Sequence, residues 1–179
     1  MSQTIIRKTK WFWPWQEDQE EAWLEQMSLQ GLHLKKAHIL AQYDFHMGQP
    51  HSYVYRMDFR DKLKSKNKDE YLSLFNEMGW EYLGEMSGWQ YFRRLAQPGD
   101  VTEIFTDPDT KIQKYNRYLA YMGLVFSSYV VYLVVFTSFW GTWPDWIMWL
   151  NIAIIILGSM FSIVTMLNIM ERIKQLKGL

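Results

Sequence analysis

The residues best suited to chemistry are four histidines and a cluster of carboxylates. His33, His38, His46 and His51 are the only histidines and crowd one region of the chain. His46 and His51 flank Gly48-Gln49-Pro50 and, with Asp44, could share a metal, since imidazole and carboxylate are common ligands. The plainer reading is solvated turn residues, because no histidine pair with a helical glutamate gives the spacing of a zinc hydrolase. Glu17, Asp18, Glu20 and Glu21 form the densest run of acids. Acid–base catalysis needs two carboxyls in opposed environments around a cleft. Four in a run read better as a solvated helix start, where they favour the positive end of the dipole. The chain has no cysteine, which excludes disulfides, thiolate metal sites and a cysteine nucleophile. Nor does it contain a Gly-x-Ser-x-Gly elbow, a phosphate loop or a dinucleotide fingerprint. The expectation is a protein without catalytic activity, cofactor or metal.

The elements that carry these residues show an internal echo. Trp23-Leu24, Met27, Gly31-Leu32 and Leu34 recur at the same offsets as Tyr71-Leu72, Phe75, Gly79-Trp80 and Tyr82. Each copy reads as a helix that stops at a glycine and runs into a strand. The first helix is expected at about 17–30. The second is expected at about 68–78, with Asn67 as N-cap and Glu70 at capping-box spacing. A hairpin is expected after each helix. In the first, alternating Tyr43, Phe45 and Met47 turn at Gly48-Gln49-Pro50 into Tyr53, Tyr55, Met57 and Phe59. In the second, Tyr82, Gly84 and Met86 turn at Ser87-Gly88 into Trp89 and Tyr91. With a strand near 5–12 the order is β-α-β-β-α-β-β. This predicts an α+β fold, a ferredoxin-like split βαβ sheet with an extra strand and both helices on one face. A short strand near 101–105 follows, and Asp107-Pro108 opens a helix that continues toward the C-terminus.

Aromatic residues offer the clearest candidate surface. Trp11, Trp13 and Trp15 around Pro14 exceed what a small sheet readily buries, so they are candidate partner-binding residues, with a core anchor as the plainer alternative. Tyr53, Tyr55, Trp89 and Tyr91 could in principle stack RNA bases. However, the front of the chain is close to neutral and lacks the glycine-rich RNA motif, so no nucleic acid is expected. Lys62, Lys64, Lys66 and Lys68 form a basic run, read as a solvated loop or a contact with anionic lipid.

Two long uncharged stretches follow, 118–144 and 146–170, separated by Asp145 alone. Each exceeds the roughly 20 apolar residues that span a hydrocarbon core of about 30 Å. The expected division is a cytoplasmic domain over 1–106 and, over 107–179, a juxtamembrane helix and a hairpin with spans at about 118–139 and 146–170. Lys111, Lys114 and Arg117 precede the first span, Arg172, Lys174 and Lys177 follow the second, and the turn between them has no basic residue. The positive-inside rule then places both termini in the cytoplasm of a multi-pass cell-membrane protein. Tyr118 and Tyr121 mark the inner boundary, Trp140, Trp143, Trp146 and Trp149 the outer one, with Lys114, Arg117, Arg172 and Lys174 as further anchors to the lipid bilayer. Gly123 with Ser127, and Gly158 with Ser162, are small-residue faces through which helices could pack, within the hairpin or in a homo-oligomer.

Trp11-Phe12-Trp13, Glu20-Glu21-Ala22-Trp23-Leu24, Gly31, Gly79-Trp80-Glu81, Tyr91-Phe92-Arg93-Arg94 and the 111–117 approach to the apolar stretches resemble the DUF2812 family of bacterial proteins. The resemblance implies C-terminal spans and, in many members, neighbouring genes for PadR-type repressors. It implies no activity and no catalytic residue. The expected role is a membrane-anchored cytoplasmic interaction or regulatory protein with an unidentified protein partner. The alternatives are an accessory subunit of a membrane transporter or stress-response system, or an enzyme at the membrane surface.

Overall fold

The computed structural model describes residues 5–60, 65–97, 108–139 and 141–178. Six strands and two helices occupy the front of the chain: β1 (Ile5–Thr9), α1 (Glu17–Leu29), β2 (Leu32–His38), β3 (Gln42–Met47), β4 (Tyr53–Phe59), α2 (Ser65–Glu77), β5 (Glu81–Met86) and β6 (Trp89–Leu95). Two long helices follow, α3 (Pro108–Thr137) and α4 (Asp145–Lys177). The chain divides into two compact units at Lys114, so the first turns of α3 belong with the α+β unit.

The strands form two three-stranded antiparallel sheets, ordered β1-β3-β2 and β4-β6-β5, where one continuous sheet was expected. In each, the third strand lies between the two joined by the helix, so β1-α1-β2 and β4-α2-β5 are both split βαβ crossovers. The sheets meet where β2 approaches β5. The repeat is positional. Ser65 follows Glu17 by 48 residues, as Tyr53 follows Ile5 and Gly79 follows Gly31. A bulge between Leu34 and Lys36 recurs, at the same 48-residue offset, between Tyr82 and Gly84. Both helices end at a glycine of positive φ, +78° at Gly31 and +80° at Gly79, the left-handed stop that a Cβ disfavours.

Several expected elements are corrected. Tyr43–Met47 and Tyr53–Phe59 do not form a hairpin; β3 pairs with β1 and β2, and Gly48-Gln49-Pro50 carries the chain from one sheet to the other. The real hairpin partner of β3 is β2, joined to it through Ile39-Leu40-Ala41. Helix α2 begins at Ser65, which puts Asn67 inside it rather than at its cap. The two-residue turn Ser87-Gly88 is as expected, with both residues at positive φ, as a tight right-twisted hairpin requires. The strand expected near 101–105, Asp107 and Trp140 lie outside the described residues.

Each sheet packs its own helix. Trp23 of α1 sits edge-on to Phe45 (5.6 Å) and Tyr43 (4.9 Å) of β3. On α2, Phe75 stacks on Phe92 of β6 at 4.3 Å within a core of Val54, Tyr71, Trp80 and Phe92. Helix α1 also lies against β4 of the second sheet.

In the second unit, α3 and α4 are long and apolar enough to cross a membrane. Most of their apolar surface is exposed, whereas paired helices in a soluble core would bury it. The buried positions of α4 include Met148, Ile155, Ser162 and Ile169, seven residues apart, the period of a coiled-coil seam. At Gly158 an added Cβ would stand 3.1 Å from the Tyr129 ring, so this glycine admits the neighbouring helix, while Gly123 faces open space. Tyr132 donates a hydrogen bond to Asn151 Oδ1 at 2.9 Å, beside an apolar cavity of about 400 Å³ that also includes Phe136, Phe139 and Trp143.

Candidate functional site

Two groupings in the α+β unit stand out. The first is inside. Glu17, Glu20 and Glu21 of α1 are 2%, 6% and 9% exposed, so they do not form the solvated helix start expected of them. Only Asp18 of that run is exposed. Glu20 Oε1 accepts hydrogen bonds from Tyr91 (2.7 Å) and Tyr43 (2.9 Å), one tyrosine from each sheet. Glu21 Oε1 accepts the Met57 N–H at 2.8 Å, and Glu25 Oε1 accepts that of Tyr55 at 3.3 Å. Arg56 Nη1 lies 2.9 Å from Glu25 and 3.4 Å from Glu21. Lys114 Nζ lies 3.1 Å from Glu17 Oε1, and both are buried.

Geometry explains this arrangement. Strand β4 is an outer strand of its sheet, and the N–H groups of Tyr55 and Met57 point away from β6. Glutamates four residues apart lie on one helix face, one above the other, and so meet alternate N–H groups of a strand alongside. Burial pushes the Glu21 carboxyl up to about 8, against the pull of Lys114 and Arg56. Burial also raises Glu20, opposed by the two tyrosine hydrogen bonds. It raises the Tyr91 and Tyr43 phenols as well, helped by the adjacent Glu20 carboxylate. Each of these carboxylates has a donor inside the protein, an arrangement that joins the two sheets, α1 and the start of α3. Sequence reasoning missed it, although Glu17, Glu21 and Glu25 follow one another at helical spacing, as a buried stripe does.

The second grouping is outside. Trp11 and Trp13 are 59% and 40% exposed, and Trp15 is half-buried. Their rings form a ladder, edge-on between Trp11 and Trp13 (5.8 Å) and stacked between Trp13 and Trp15 (5.4 Å, 5° between planes). Phe12 turns the other way, onto Trp23 and Tyr43. The Trp13 carbonyl accepts from the Gln16 N–H, and the Gln16 side chain accepts from the Trp13 N–H, closing the turn around Pro14.

Three histidines, His33, His46 and His51, lie side by side, while Asp44 is turned to Arg7 and His38. His33 is buried. Its Nε2 donates to the Gln49 carbonyl at 2.8 Å, and its Nδ1 lies 2.6 Å from Ser28 Oγ. His46 and His51 both flank its ring, and burial pulls the His46 imidazole below its ordinary value. Asp44 is engaged elsewhere, by Arg7 (2.6 and 2.9 Å) and His38 (2.8 Å), and the Arg7 hydrogen bond holds its carboxyl well below the usual range. Among the described residues no group of three or more such side chains is placed to hold a metal. Tyr53 is partly buried, and Tyr55, Trp89 and Tyr91 are buried.

Of the residues expected at a membrane boundary, Trp143, Trp146, Trp149 and Lys174 are exposed, and Arg117, Tyr121 and Arg172 are half-buried. Tyr118 is buried, and Lys114 is spent on Glu17 inside the first unit rather than offered to a lipid headgroup.

A family model described as a protein of unknown function, DUF2812, matches residues 16–127. No curated protein and no solved structure matches the chain.

Proposed function

From the premise that this chain belongs to the DUF2812 family, a family of unknown function, we propose that it is a membrane-anchored interaction protein of regulatory type. Its α+β unit presents a contact surface in the cytoplasm, and α3 and α4 form the two-span anchor. The tryptophan ladder carries the reading: two exposed indoles, Trp11 edge-on to Trp13 and Trp13 stacked on the half-buried Trp15, are rigid, amphipathic anchors of the kind that dominate interfaces. The internal partners of Glu17, Glu20 and Glu21 support a structural use of those acids rather than a catalytic one. Two split βαβ crossovers support a relation of the unit to ferredoxin-like folds.

The proposed topology has both termini inside, supported by Lys111, Arg117, Arg172, Lys174 and Lys177 flanking the spans and by the absence of Lys and Arg from 118–171. Since the chain has no cysteine, single cysteines at Thr142 and Lys177 report it directly. An impermeant maleimide is expected to label the first in intact cells and the second only after permeabilisation; the reverse pattern overturns the orientation. The surface reading is tested by a photo-crosslinking amino acid at Trp13 in the full-length protein in membranes. A specific adduct, protein or lipid, is expected there, and its absence overturns the reading. A second reading, an accessory subunit that docks to other spans, is favoured by the open space beside Gly123 on α3. Exchanging residues 118–170 for an unrelated two-span anchor, with Lys114 kept, separates the two: the adduct at Trp13 survives the exchange in the first reading and is lost in the second.

A further inference from the structure

The exposed indoles have an apolar neighbour that the sequence reading did not connect to them. The Lys10 N–H donates to the Ala41 carbonyl at 2.9 Å, extending the β1–β3 ladder past Thr9 and Gln42. This sets the start of the tryptophan segment beside the β2–β3 turn, Ile39-Leu40-Ala41. Ile39 and Leu40 are 68% and 74% exposed. Leu40 and Ala41 hold φ of 63° and 59°, a region in which a solvated turn ordinarily uses glycine or asparagine. Two large aliphatic side chains thus project into solvent from a turn that strains its backbone to present them. The surroundings are basic: Lys8, Lys10, Lys35 and Lys36 are all exposed. No acidic residue occurs in 1–16 or 31–43, and the nearby Asp44 carboxylate is taken up by Arg7 and His38.

We propose that this end of the first sheet, Ile39 and Leu40 with Trp11 and Trp13, is a lipid-binding wedge that enters the interface of an anionic bilayer while the adjacent lysines contact its headgroups. The inference rests on the reading of the tryptophan ladder as a contact surface and names its partner. Exposed aliphatic side chains on a turn beside an indole-bearing segment suit the graded polarity of a bilayer interface, where tryptophan sits at headgroup level. Lys8, Lys10, Lys35 and Lys36 supply the complementary charge for anionic lipid. The chain also carries its own candidate spans, so a bilayer is always at hand.

The test uses the full-length protein in vesicles, with an environment-sensitive fluorophore on Leu40→Cys and, as control, on Asn76→Cys, an exposed position of α2. Nitroxide-labelled lipids are expected to quench the label at position 40 and leave that at position 76 bright. Quenching should be at least about twofold stronger in phosphatidylglycerol-containing vesicles than in phosphatidylcholine alone, and should fall severalfold in Lys35→Glu/Lys36→Glu. Equal signals at positions 40 and 76, or quenching indifferent to lipid charge and to the lysine changes, overturn the proposal. Crosslinking from Trp13 to a protein, with position 40 unquenched, overturns the lipid assignment and leaves the contact surface standing. No adduct at Trp13 and no quenching removes both.

Discussion

Helices α1 and α2 occupy the same place in two copies of one β-α-β-β plan and have come to opposite uses. Helix α2 buries one face, Tyr71 and Phe75, on its own sheet, and Asp69, Glu70, Ser73 and Glu77 face solvent. Helix α1 buries the equivalent Trp23, Leu24 and Met27 on its own sheet and also turns Glu17, Glu20, Glu21 and Glu25 toward β4, Tyr91 and Lys114. The apolar face is what the repeat retains, because each sheet needs its cover. The outer face is free to diverge, and in α1 it has become the polar interior that unites the two halves.

The largest test of that likeness is in the cores. Phe45 and Phe92 are both fully buried under their own helices, so Phe45→Ala and Phe92→Ala are each expected to cost about 3–5 kcal/mol in urea denaturation of the full-length protein in detergent. Clearly unequal losses would show that the halves do not carry comparable cores. Next comes pH, which should separate the halves. The native state holds the Glu21 proton up to about 8, while the unfolded chain releases it near 4.5. Between those values the native state binds more protons, so stability falls as pH rises, by about 1.4 kcal/mol per unit from this group at full effect. Glu21→Gln keeps an oxygen for the Met57 N–H and should flatten that slope, matching the wild type near pH 4 and exceeding it at pH 8. Asp69→Asn, its exposed counterpart in α2, should stay within about 0.5 kcal/mol throughout.

A smaller contrast lies at the helix stops. A Cβ at Gly31 would stand 2.5 Å from the Gly48 carbonyl oxygen, whereas at Gly79 the nearest atom is the Arg94 side chain at 3.5 Å. Gly79→Ala should therefore cost only the left-handed conformation, about 1–2 kcal/mol, and Gly31→Ala distinctly more. Equal costs would mean that the Gly31–Gly48 approach yields easily.

What could be read from the residues was local or periodic. The repeat, both helices with their glycine stops, the Ser87-Gly88 turn and the two long apolar helices depend on short-range pattern, and all are present. The pairing of β3 was misread because Gly48-Gln49-Pro50 has turn chemistry whichever sheets it joins, and strand partners are chosen by distant burial. Ile39-Leu40-Ala41 was missed as a turn because it contains none of the usual turn residues. Trp11 and Trp13 are exposed where the plainer reading made them a core anchor, and Phe12 between them packs inward instead. The glutamates of α1 read as a wet face because a helix surrounded on two sides cannot be told from its charges alone. Only the position of β4 reveals why acids lie there.

The glutamate caps on β4 have a consequence for neighbours. An outer strand with free N–H groups is a template on which a second copy of the chain can add a strand. Molecules confined to a plane meet far more often than the same number free in three dimensions, so an open template would be especially hazardous to a protein held in a membrane. Glu21 and Glu25 occupy the Tyr55 and Met57 positions of that template from within the same chain. At the opposite margin β1 leaves Arg7 and Lys8 exposed, with Arg7 paired to Asp44 of β3. A copy approaching the β4 margin would find the Tyr55 and Met57 N–H groups already taken.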